Sequence, residues 1–118
     1  MADDQNPTVK FNVGGKAFKT ARSLFLQYED TMLARLVSDT WHEDPSKPVF
    51  IDRNGTTFEL VLDYLRYGSI TLPVTVSREM FLRDMDFYGI VPGEGTVKTS
   101  AEAWTVQVTN RHDKILLL

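Results

Sequence analysis

The stretch Phe50-Ile51-Asp52-Arg53-Asn54-Gly55-Thr56-Thr57-Phe58-Glu59-Leu60-Val61-Leu62-Asp63-Tyr64-Leu65-Arg66-Tyr67-Gly68 changes character twice, and those changes decide the fold. Its first residues continue Pro48-Val49 as an extended apolar run, read as a strand over 48–52. Asn54-Gly55 then breaks the chain. The dipeptide is common in hairpins, but no second strand follows, so it is read as shaping a strand-to-helix turn. Thr56 and Glu59 have the spacing of a capping box, in which each side chain satisfies a free backbone N–H. That predicts a helix with Thr56 at its N-cap. Phe58, Val61, Leu62 and Leu65 recur at i, i+3, i+4 and i+7, a stripe that belongs in the core, and Gly68 stands where a helix-ending glycine belongs.

Upstream, Val9-Lys10-Phe11-Asn12-Val13 alternates with period two and is followed by Gly14-Gly15 and then Lys16-Ala17-Phe18-Lys19-Thr20. This reads as a β-hairpin with Val9, Phe11 and Val13 on one side, the glycines supplying the positive φ angles of a tight turn. Thr20 is expected to cap a short helix through Ser23, Leu24, Phe25 and Leu26. Asp30 or Thr31 is expected to cap a second, with Met32, Leu33, Leu36 and Val37 on its apolar face. Residues 38–48 mix charges with Pro45 and Pro48 and read as a surface loop.

Downstream, residues 69–76 read as extended, with Pro73 excluding a central strand position. Ser77 is placed as the cap of a last helix that turns Phe81, Leu82, Met85 and Tyr88 inward before Gly89. The compact unit is expected over 8–91, followed by a linker at 92–103 and a small hairpin over 104–118 built on Trp104-Thr105-Val106-Gln107-Val108.

Composition narrows the function. The chain has 118 residues, 42% apolar and 25% charged, enough for one core and far from the composition of disordered chains. With 13 basic and 16 acidic residues, and neither sign in a long block, it offers no surface for following a phosphate backbone or an anionic membrane. No apolar run nears the ~20 residues of a membrane helix, and the polar start MADDQNP has no signal-peptide core. A cytoplasmic home is expected, and the apolar end Ile115-Leu116-Leu117-Leu118 suggests a longer parent protein. The absence of cysteine removes disulfides, thiolate nucleophiles and cysteine-ligated zinc.

Motifs for catalysis are missing. Gly14-Gly15-Lys16 leads into a strand where a phosphate loop would lead into a helix. His42 and His112 are far apart in the chain and are read as surface histidines. Glu43 and Asp44 lie in the expected loop, while Asp84 and Asp86, two apart on a helix, point in different directions; all four are read as solvated. No serine sits on a strained strand-to-helix turn. No catalytic residue, metal or cofactor is therefore expected. Two features remain: the polar set Asp52, Arg53, Asn54, Asp63 and Arg66, and the aromatic residues Trp41, Tyr64 and Tyr67, expected to be partly exposed. Solvation and an interface both fit them.

Taken in order and spacing, Phe11 to Thr20, Phe50 to Phe58, Val61 to Gly68 and Met80 to Ile90 resemble the BTB/POZ domains of the potassium-channel tetramerisation family and its soluble relatives. The resemblance covers about residues 8 to 91. It implies a mixed α/β (α+β) fold, a three-stranded sheet with a cluster of about four to five helices. It also implies self-assembly into closed rings of four or five subunits through polar, heterologous contacts. In that family the turn after the third strand helps form the ring contact. This points to Asp52, Arg53 and Asn54 as oligomer-interface residues, with Asp63, Thr20, Arg22 and Asp39 as further candidates. The segment from Phe50 to Gly68 is more similar to the soluble members, which often recruit a cullin scaffold and act as ubiquitin ligase adaptors. The alternative it leaves open is the cytoplasmic tetramerisation domain of a voltage-gated potassium channel. The interfacial zinc motif of several channel subfamilies needs a cysteine that this chain lacks.

Overall fold

The computed structural model describes residues 8–43 and 46–100. β1 (Thr8–Val13) and β2 (Lys16–Ala21) form the expected antiparallel hairpin. Gly14 and Gly15 take φ of 59° and 96°, and the Asn12 carboxamide oxygen accepts from the Gly15 N–H at 2.9 Å. Gly14 is required twice over. Its φ is left-handed, and a Cβ there would collide with the carbonyl oxygen of Arg53. Its own N–H donates to the Ile51 carbonyl at 2.9 Å, tying the hairpin turn to β3 (Val49–Ile51).

β3 pairs with β1 in parallel, Phe11 opposite Val49, giving a sheet of order β2-β1-β3. The connection between them holds a 3-10 helix, α1 (Arg22–Tyr28), and α2 (Met32–Glu43). The expectation that Thr20 caps α1 is not met. Thr20 belongs to β2, which runs on to Ala21, and α1 starts without a side-chain cap. At α2 the choice between caps falls on Thr31, whose hydroxyl accepts from the Ala34 N–H at 3.1 Å. The loop expected over 38–48 is shorter, because α2 continues to Glu43. The prolines that argued for a loop stand at positions 45 and 48, beyond the helix.

α3 (Gly55–Tyr67) carries the expected stripe, with Phe58, Val61, Leu62 and Leu65 all buried. Its cap lies earlier than the Thr56 predicted. Asn54 is the N-cap, its Oδ1 accepting from the Thr57 N–H at 3.0 Å, while Glu59 pairs instead with Lys16 at 3.1 Å. Asn54 wins because Gly55 and Thr56 already take helical geometry, leaving Thr56 inside the helix. At the other end Gly68, φ 77°, donates its N–H to the Tyr64 carbonyl at 2.7 Å. β4 (Ile70–Leu72) follows, then α4 (Arg78–Phe87), capped by Ser77 as expected.

Residues expected within a linker include a strand. β5 (Val97–Thr99) pairs in parallel with β4, Ile70 opposite Val97. The Tyr64 hydroxyl lies 2.9 Å from the Thr96 hydroxyl and accepts from the Gly93 N–H at 3.1 Å, and the Arg78 guanidinium donates to the Val97 carbonyl. Tyr64, expected to be partly exposed, is buried for this reason. The hairpin expected over 104–118 lies outside the described residues.

The helices pack on one face of the three-stranded sheet. Phe58 sits at the centre of an aromatic cluster, its ring centroid 5.0 Å from Phe11, 5.1 Å from Phe18 and 5.3 Å from Tyr88. Such tilted contacts add to the gain from burying each ring. Among the described residues, the three-stranded sheet beside four helices is the mixed α/β architecture expected from sequence.

Candidate functional site

The turn from β3 into α3 is built as a rigid projection. Asn54 is committed to capping α3. Arg53 folds inward: its Nη2 donates to Asp84 Oδ1 at 2.6 Å and its guanidinium lies 4.3 Å from the Phe87 ring centroid. The Asp84 side chain is 9% exposed and that of Arg53 27%, so the pair is shielded enough to hold the turn against α4. Asp52 is left exposed, with no ion pair among the described residues.

Reading Asp84 as solvated was wrong. It stands in register with the apolar stripe of α4, three residues after Phe81 and four before Tyr88, so it faces inward and is neutralised from another element. That position in the stripe was the available signal. Beside it the Tyr88 hydroxyl is buried with no hydrogen-bond partner among the described residues. Burial first, and the Asp84 charge second, push its pKa well above the ordinary tyrosine value, while Arg53 pulls the other way.

The remaining candidates form a second group. Arg66 donates to Asp63 at 3.0 Å and to the buried Thr20 hydroxyl at 3.3 Å, joining α3 to β2. Arg22 donates to the Thr8 carbonyl at 3.2 Å. Asp39 lies on α2, and its side chain, like those of Trp41 and His42, is outside what is described. Thus Thr20 and Asp63 meet through Arg66, while Asp52, Arg53 and Asn54 share one turn. A shallow cavity of about 410 Å³ beside Asp63 is lined also by Tyr67, Thr71, Thr96 and Lys98.

Among the described residues nothing covers the outer face of the three-stranded sheet. Lys10 and Lys19 stand opposite each other across β1 and β2, and the Asn12 position joins Ala17 on one side and Phe50 on the other. Phe50 is 64% exposed.

A family model described as the BTB/POZ domain matches residues 9–96. Two BTB/POZ domain-containing proteins of Arabidopsis thaliana are 34% and 33% identical over 93 and 94 residues, 76% and 79% of this chain. The A-type voltage-gated potassium channel KCND3 of Homo sapiens is 30% identical over 88 residues, 75% of this chain. The chain spans 21% of each plant relative and 13% of the channel.

Proposed function

The chain belongs to the BTB/POZ family, of the potassium-channel tetramerisation type, whose members are protein–protein interaction domains, and from that premise we propose that it joins copies of itself into a closed, head-to-tail ring of four or five. The observation that carries this is the turn after β3. Its Arg53–Asp84 pair and Asn54 cap freeze the backbone, so presenting Asp52 to a neighbour loses little further conformational entropy on binding. A preorganised polar projection suits an interface that must form between folded subunits.

Light scattering of the purified chain tests the proposal. A mass of four or five chains at micromolar concentration is the expected result, and a monomer at high micromolar concentration would sink it. The ring's use is multivalent: weak contacts of each subunit add through effective concentration. We propose that the parent is a cytoplasmic adaptor of this kind, delivering substrates to a cullin-type ubiquitin ligase. Co-elution with a cullin N-terminal domain is the expected outcome, and its absence at tens of micromolar would remove that role.

The similarity to KCND3 favours one second reading, the assembly domain of a channel. Reading the full gene product for ~20-residue apolar runs, the mark of channel helices, separates the two.

A further inference from the structure

A head-to-tail ring needs two different faces on every copy, and the turn around Asp52 is one. We infer that the other is the outer face of the β2-β1-β3 sheet, occupied by the acidic turn of a second copy; this rests on the self-assembly proposed above.

The lysine pair carries the inference. Lys10 and Lys19 are directly opposite across an antiparallel pair, an arrangement in which like charges destabilise the sheet. Neither has an ion pair among the described residues, although the chain's net charge is −3. No outward position of the three strands carries an acid to relieve them. Beside the lysines, the row Ala17–Asn12–Phe50 crosses the same face, the small Ala17 leaving room for another surface and the exposed Phe50 offering it an apolar contact beside the Asn12 carboxamide.

The complementary charge is on the same chain but out of reach. Asp52 and Asp86 are exposed, without ion pairs among the described residues, and they adjoin Arg53 and Phe87, which are in contact. Phe11 pairs with Val49, so Lys10 lies one residue before that rung and Asp52 three residues after it. At about 3.3 Å per residue this separates them by ~13 Å along the strands. The charges can therefore meet between copies and not within one. Electrostatic matching of this kind fixes register and accelerates association.

The test uses two charge-reversed forms of the 118-residue chain, K10E/K19E and D52K/D86K, with light scattering at fixed salt. Each alone is expected to raise the dissociation constant about tenfold or more. An equimolar mixture is expected to restore association, the two forms alternating in assemblies of an even number of chains. The neutral K10Q/K19Q is the check if either reversal fails to fold, with a smaller loss expected in the same direction. Unchanged assembly of K10E/K19E, or of K10Q/K19Q where that variant stands in, would overturn this assignment and leave self-assembly standing. Weakening without recovery in the mixture would overturn it too, pointing the lysines at an acidic partner of another kind. A wild-type chain that stays monomeric would overturn the assembly proposal and this inference together.

Discussion

At the scale of single residues, Asp84 and Tyr88 show how one buried charge organises its surroundings. Replacing Asp84 by Ala strands the Arg53 guanidinium over Phe87 without its counter-ion. Loss of a fully buried pair is a severe defect, but Arg53 is partly exposed and can rehydrate. Urea unfolding is expected to show about 2 kcal/mol of destabilisation. Tyr88→Phe should do the opposite. It removes a hydroxyl that is desolvated without compensation, so the same measurement should give a change between zero and about 1 kcal/mol of stabilisation. The titration of Tyr88 has a definite sign. Its pKa is raised on folding, so the unfolded chain releases this proton first. Stability from this group is complete below about pH 10 and declines as pH rises above it. Tyrosinate absorbance should therefore show Tyr88 ionising only with unfolding, and a loss of stability at alkaline pH that Tyr88→Phe reduces.

Secondary-structure elements were readable where the signal was local. The hairpin at Gly14-Gly15, the stripe of α3, the Ser77 cap and the Gly68 stop all follow from residues within a few positions of one another. The failures share a cause, which is competition or distance. Thr56 and Glu59 satisfy the pattern of a capping box, but Asn54 is the better-placed acceptor and Lys16, far away in sequence, claims Glu59. Asn54→Ala is thus expected to cost about 1 kcal/mol in thermal or urea unfolding, and Thr56→Ala much less. β4 falls in the stretch expected to be extended, but β5 is only three residues long and pairs with it across a long separation, so no periodicity could announce β5 or the pairing. On its own helix Asp84 has Asp86 as its nearest acidic neighbour in sequence, while the partner that neutralises it comes from the β3–α3 turn. The candidate interface residues were legible as a polar turn. What meets that turn is a property of a second molecule and is not encoded in any local pattern.

At the scale of the whole molecule, assembly couples stability to concentration. If rings form only from folded subunits, mass action raises the melting temperature as total protein rises. The expected result is an upward drift of several degrees over a hundredfold range of concentration in calorimetry. A melting point independent of concentration would argue for a folded monomer across that range. Among the described residues no helix is long and apolar enough to cross a membrane, which fits a domain whose exposed surface is charged and mixed in sign.

The parallel pairing of β1 with β3 has a consequence for how the chain acquires its shape. β1 meets β2 through a two-glycine turn, and such a hairpin can close in roughly 1–10 μs. β1 meets β3 only after α1, α2 and the following loop have been spanned, so the third strand bears the larger loss of chain entropy and must arrive late. Until it does, one edge of β1 is an open template for foreign strands. During synthesis that edge emerges from the ribosome well before Val49 and the α3 stripe, and the vulnerable species is a nascent hairpin waiting for its partner.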